Sequence, residues 1–206
     1  MGSYTKGFPM LTEPRYPAVD VDVDVDIDVD VDVDLDSDGT ALTSLAGALQ
    51  DAVAQTTPDL LPQALCATLS EHATIGLLDA AQRVGNAERY TRHVLYEHPD
   101  GLFTAVALVW RPGQVTPVHG HHTWCAYKIV QGTMHEDRYA WDDATGVAVL
   151  RDAVVRPTGD CVGSQAGMQQ IHRLRNAGTD TAISIHVYGI DGGRVATHVN
   201  RIAALA

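Results

Sequence analysis

Three histidines and a cysteine fall within the eight residues Val118-His119-Gly120-His121-His122-Thr123-Trp124-Cys125. Imidazole and thiolate both bind divalent transition metals, so the stretch points to a metal centre or to thiol chemistry. One short segment cannot turn all four side chains towards one ion. In an extended strand successive side chains take opposite faces. His119, His121, Thr123, Cys125 and Tyr127 then share one face, while His122 and Trp124 take the other. His119-x-His121 forms a natural two-point clamp, but such a pair is a weak signal by itself and needs a third ligand.

Two histidines compete for that place. Ser184-Ile185-His186-Val187-Tyr188 alternates polar and β-branched residues, which puts Ser184, His186 and Tyr188 on one face of a strand. A solvent-facing strand shows the same pattern. Just upstream, Ile171-His172-Arg173-Leu174-Arg175-Asn176 offers His172 at the start of another strand. The Ala177-Gly178-Thr179-Asp180 turn is expected to bring these two strands together, with His172 meeting His119 and His121.

The rest of the chain must supply the elements that hold these residues. Residues 1–18 carry three prolines and little periodicity, and from Asp20 to Asp38 every even-numbered residue is Asp. Like charges in a column repel and Asp is a poor strand former. Residues 1–40 are therefore expected to be an acidic, disordered arm, and residues 41–206 a single domain. From Ala41 to about Ala87 the leucines recur at helical spacing: Leu42, Leu45, Leu49 and Val53, then Leu60, Leu61, Leu65 and Leu69 after Pro58. Together with Ile75–Val84, this predicts two or three packed helices over 41–87. Beyond Tyr90 short apolar runs alternate with turn residues. Strands are predicted at 103–110, 122–130, 135–141, 147–150, 170–175, 182–188 and 194–199. That spacing describes a mainly β protein, a small barrel or sandwich with the helices outside.

Composition narrows the function. The formal charge of −12 comes mostly from the ten Asp residues of the arm, and the remainder is nearly neutral. Nucleic-acid binding needs clustered Lys and Arg, which are lacking. Three widely spaced cysteines (Cys66, Cys125, Cys161) do not make a disulfide framework. Neither a signal pattern nor a membrane-length apolar run is present, so a cytoplasmic protein without a membrane partner is expected. Cys66 reads as helical core, Cys161 as a loop residue without a partner, and Trp110 as packing. His93, His98, His135 and His198 read as isolated surface or strand residues.

Several of these residues carry a family resemblance. Gly113, His119-x-His121, Cys125 and Gly132 resemble the first cupin motif as it occurs in cysteine dioxygenases, where a cysteine replaces the usual glutamate ligand. His172-x-x-x-Asn176 is similar to the end of the second cupin motif. Ser184-x-His186-x-Tyr188 is similar to the family's Ser-His-Tyr set, and Arg89-Tyr90-Thr91-Arg92 to the segment whose arginine grips the substrate carboxylate. The likeness spans roughly residues 88–190. It implies a cupin β-barrel of the double-stranded β-helix type, with Fe(II), or Ni(II) or another divalent metal, on His119, His121 and His172. It also implies Arg92 and Tyr90 on the substrate, and Cys125, Ser184, His186 and Tyr188 in catalysis. The family's tyrosine can be joined to the cysteine by a thioether, which makes Cys125 and Tyr188 candidates for such a link. The His121-to-Cys125 spacing is one residue shorter than in animal-type members.

The implied reaction adds both atoms of O2 to the sulfur of L-cysteine, giving cysteine sulfinate, in a monomer or small homo-oligomer. Three neutral imidazoles leave the metal's charge and one face free for an anionic thiolate. Ketoacid-dependent oxygenases need a ligand carboxylate, and Cys125 stands in its place. The alternatives are a 3-mercaptopropionate or other thiol dioxygenase, since Ile183–Gly189 looks closer to that bacterial branch, and a biosynthetic cupin forming a sulfur–nitrogen product. A non-catalytic metal sensor and a three-histidine zinc hydrolase use neither Arg92 nor the Ser-His-Tyr set.

Overall fold

In a computed structural model of the protein, residues 39–206 are described. Apart from Gly39 and Thr40, which open the first helix, the expected acidic arm lies outside the described residues. Helix α1 (Gly39–Gln55) buries Leu45, Ala46 and Leu49, and α2 (Leu61–His72) buries Leu61, Pro62, Leu65 and Leu69. Pro62 sits in the first turn of α2, where its missing N–H costs no hydrogen bond. The predicted helical segment 75–84 is reduced to two short 3-10 turns, Ile75–Leu77 and Gln82–Val84. Two packed helices are therefore present among the described residues. None among the described residues is long and apolar enough to cross a membrane.

Ten strands follow: β1 Thr91–Glu97, β2 Thr104–Trp110, β3 His119–His121, β4 Cys125–Gln131, β5 Thr133–Asp142, β6 Val147–Pro157, β7 Cys161–Ser164, β8 Gly167–Arg175, β9 Ala182–Tyr188 and β10 Asn200–Ile202. They form two five-stranded antiparallel sheets, ordered β1-β2-β9-β4-β7 and β10-β3-β8-β5-β6. The protein is mainly β, with two facing antiparallel sheets in a double-stranded β-helix arrangement and its helices packed outside. The helical leucines cover the outer face of the first sheet, against Ala105, Ala107, Val109, Ala126, Ile183, Ile185 and Val187. The facing side chains, among them Leu108, Trp110, Tyr127, Ile129 and Leu174, fill the space between the sheets. Strands β2 and β9 are consequently buried along their whole length.

Three strand expectations are corrected. Residues 194–199 form turns, and the last strand lies further on at Asn200–Ile202. Cys161–Ser164, expected to be loop, is β7, and it pairs with β4. Finally, the strands carrying His172 and His186 do not pair. They lie in opposite sheets, because Asn176 Nδ2 donates to the carbonyls of Trp110 and Asp180, both at 2.8 Å, and turns the chain across the barrel. The two histidines therefore approach each other through the interior.

Candidate metal centre

Strand β3 is short, and its middle residue is tightly constrained. A side chain at Gly120 would collide with the Gly167 carbonyl and with the Met168 sulfur at 3.0 Å. Glycine between the two histidines thus lets β3 lie close against β8. His119 is the register partner of His172 across that pair. His122–Trp124 break the chain before β4, so the extended run read from His119 to Tyr127 is two strands, and the strand predicted at 122–130 begins only at Cys125. His122 is exposed, while Cys125 re-enters the interior.

His119, His121 and His172 are all buried, and each offers a nitrogen within 4.8 Å of the others. Among the described residues this is the group with metal-binding geometry, and Cys125 is not in it. Their rings lie 4.7 to 5.1 Å apart, centre to centre. Each Nδ1 is turned outward to a protein oxygen. His119 Nδ1–H donates to the Pro117 carbonyl at 2.9 Å. His121 Nδ1 lies 3.4 Å from Ser164 Oγ, and His172 Nδ1–H donates to Glu136 Oε1 at 2.7 Å. The Nε2 atoms are left as the inward ligands. His172 Nε2 is buried without any hydrogen-bond partner. An orphaned buried acceptor is costly, and a divalent cation shared by the three rings would satisfy it. The donor set fits a divalent metal.

Glu136, which the sequence reading missed, is the base of this arrangement. Its second oxygen accepts from Arg156 Nε at 2.9 Å and Nη2 at 2.6 Å. Burial pushes its carboxyl up, but the His172 and Arg156 contacts outweigh that and hold it down at about 2. Set within Met134-His135-Glu136-Asp137-Arg138, it reads in the sequence as part of a solvated, charged strand. Ser164 was missed for a related reason, being on the unrecognised β7.

Strand β9 turns Ser184, His186 and Tyr188 inward, so its polar face lies in the barrel interior. Trp110, expected only to pack, donates its indole N–H to Ser184 Oγ at 2.9 Å. Ser184 Oγ lies 2.8 Å from His186 Nε2, and His186 Nδ1 lies 2.9 Å from the Tyr188 hydroxyl. Indole can only donate, so the Ser184 proton is free for Nε2. His186 then donates from Nδ1, which leaves the Tyr188 proton pointing into the cleft. Burial keeps Tyr188 protonated well beyond its ordinary value. Burial likewise raises the Cys125 thiol, which is therefore neutral and a poor metal ligand. Cys125 and Tyr188 are direct partners across the β4–β9 pair.

Tyr90, Arg92, the three histidines, Cys125, His186 and Tyr188 border one cleft, together with Asn200. Tyr90 stacks on Trp110 with ring centres 4.4 Å apart. Arg92 is half-buried, and its Nε has no partner. Its Nη1 makes only a long 3.4 Å contact to the Val195 carbonyl. Arg89, by contrast, is exposed. Every residue picked from the sequence for this site lies at the cleft or hydrogen-bonds a residue that does. Asn200, carried by the last strand, had no signal to announce it.

The buried imidazoles predict an acid-sensitive fold. Burial, followed by the neighbouring His172, lowers His119 to about 3, and burial also lowers His121 and His186. A group with a depressed folded pKa is stabilising above its unfolded value near 6.5, and that contribution is lost as pH falls below it. Each of the three is expected to remove up to about 1.4 kcal/mol per pH unit. Urea unfolding of chelator-treated protein at about pH 7 and about pH 5.5 checks this. A midpoint unchanged between them would contradict it.

The family model for cysteine dioxygenase type I matches residues 50–191. A Thermus thermophilus protein is 17% identical with a TM-score of 0.42, covering 55% of this chain and 96% of its own. A Klebsiella pneumoniae protein with a double-stranded β-helix domain is 18% identical with a TM-score of 0.43, covering 56% of this chain and 84% of its own. A Cupin 2 conserved barrel domain protein from Salinispora arenicola is 20% identical with a TM-score of 0.40, covering 57% and 88%. With residues 50–191, most of its length, matched by the family model, this chain belongs to the cysteine dioxygenase type I family.

Proposed function

We propose that the protein is a metal-dependent thiol dioxygenase whose substrate is L-cysteine and whose product is cysteine sulfinate. The observation that carries this reading is the meeting in one cleft of two buried nitrogens without hydrogen-bond partners, His172 Nε2 within the three-histidine group and Arg92 Nε. His119, His121 and His172 would hold Fe(II). A metal held by these residues would supply the redox centre for adding O2 to a thiol sulfur.

The chain's own residues select and orient the substrate. Arg92 offers a forked, charge-assisted grip on a carboxylate, and Tyr90 lies on the same side of the cleft. Leu108, Leu174 and Trp110 wall the cleft with apolar surface, which excludes water and strengthens the charge contacts inside. Tyr188, aligned by His186 and Ser184, presents its proton to the reacting group and holds it there. The cross-strand register of Cys125 and Tyr188 supports a thioether between them, formed with loss of two hydrogens to an oxidant such as O2. A 3-mercaptopropionate dioxygenase is the second reading, favoured by the Ile183–Gly189 run.

Iron-loaded protein is expected to consume oxygen with L-cysteine faster than with 3-mercaptopropionate and to release the sulfinate. The reverse preference would establish the second reading. Iron loading without thiol-dependent oxygen uptake would sink both. A digest of the same sample is expected to contain a Cys125–Tyr188 peptide lighter by two hydrogens.

A further inference from the structure

Helix α2 lies directly on strand β7. A side chain at Gly163 would meet the Pro62 carbonyl at 2.5 Å, so helix backbone and strand backbone are in contact there. Alternation along β7 turns Cys161 to the same side as Gly163, while Val162 packs in the interior and Ser164 reaches His121. Along α2, Pro62, Cys66 and Ser70 follow one another a turn apart on one face. Ser70 marks the far end of this row, since its carbonyl accepts from Lys128 Nζ at 3.0 Å. Lys128 is the register partner of Cys161. The row thus runs from Gly163 to Lys128, and Cys66 lies over Cys161. The two thiols pack against the same apolar cluster as close neighbours, both half-buried and both free. Cys161, which the sequence leaves without a partner, has one.

We propose that Cys66 and Cys161 form a thiol–disulfide exchange site that closes to an intramolecular disulfide when it meets a low-molecular-weight disulfide. Cys66 gives its proton to solvent, and its sulfur attacks one sulfur of the reagent and expels the first thiolate, which takes up a proton, giving a mixed disulfide. Cys161 gives its proton to solvent, and its sulfur then attacks the Cys66 sulfur and expels the second thiolate. One small disulfide is reduced to two thiols while two protein thiols become one disulfide. The roles follow from the contact. The neighbouring Cys161 thiol lowers the Cys66 thiol against the opposing effect of burial, and the same proximity raises Cys161. The closed bond would tie α2 to β7, the strand whose Ser164 abuts His121. This proposal does not depend on the dioxygenase reading, since it concerns residues outside the cleft.

The test treats full-length, reduced protein with 2-hydroxyethyl disulfide in the absence of oxygen. The remaining thiols are alkylated after denaturation, and the unreduced digest is mapped by mass. A linked Cys66–Cys161 peptide is expected, with loss of alkylation at both residues and a raised thermal midpoint. In Cys161→Ser the same treatment is expected to stop at the mixed disulfide on Cys66 and to leave the midpoint unraised. Full alkylation of Cys66 and Cys161, or separate hydroxyethyl adducts on each in the wild type, would overturn the proposal. Because the readout needs neither metal nor turnover, its failure is distinct from failure of the dioxygenase reading.

Discussion

Glu136→Ala is expected to weaken metal binding about 10- to 100-fold and to destabilise the metal-free fold by about 3–5 kcal/mol. The first effect follows from what Glu136 does to His172. By accepting from Nδ1–H at 2.7 Å it fixes the tautomer and holds the ring plane, so that Nε2 is aimed inward. Without it, His172 keeps its place in β8 but loses the group that selects which nitrogen carries the proton. The second effect follows from Arg156, whose side chain is 17% exposed. Removing Glu136 leaves that charge with Asp160 alone, at 3.6 Å. Chelator competition reads the affinity and urea unfolding reads the stability. Glu136→Gln separates them, since it retains an acceptor for His172 but not the charge facing Arg156. Wild-type metal affinity in folded Glu136→Ala would show that the carboxylate does not prepare His172.

The histidine clamp was legible because alternation is local: His119 and His121 need only a strand to share a face, and the bystander position of His122 follows from the same rule. Cys125, however, faces inward for a reason other than strand parity from His119. The strand breaks at His122–Trp124, and Cys125 returns to the interior because β4 begins there and pairs with β9. The position of the Ser184–Tyr188 face was ambiguous for the opposite reason. A polar face looks the same whether it meets water or an enclosed site, and only the helices against Ile183, Ile185 and Val187 decide which side is out. Glu136 and Ser164 were illegible because each acts across a sheet contact of high sequence separation. Glu136 lies 36 residues from His172, and Ser164 lies 43 from His121. No spacing rule connects such pairs without the topology. The Cys66–Cys161 pair was hidden in the same way, its halves separated between a helix and a strand that resembled a loop.

Arg92→Gln is expected to lower kcat/KM for L-cysteine by about 10- to 150-fold, the loss of a charge-assisted contact of about 1.5–3 kcal/mol. The position of Arg92 makes this a clean deletion. In β1 it pairs with Leu108, and both side chains reach the cleft. Its Nε has no partner and Nη1 has only the long Val195 contact, so shortening the side chain breaks no short hydrogen bond of the fold. Stability is therefore expected to stay within about 0.5 kcal/mol. The grip is on the carboxylate, so the loss should depend on the substrate carrying one. Cysteamine has the thiol and the amine without the carboxylate, and its slower turnover should be nearly unchanged by the substitution. Arg92→Lys keeps the charge but loses the fork, and should fall between the wild type and Arg92→Gln. Steady-state oxygen uptake with both thiols, on metal-matched samples, measures the ratio. Equal losses for L-cysteine and cysteamine would remove the carboxylate from the account of Arg92, because a group that serves only to hold the cleft open cannot distinguish the two substrates.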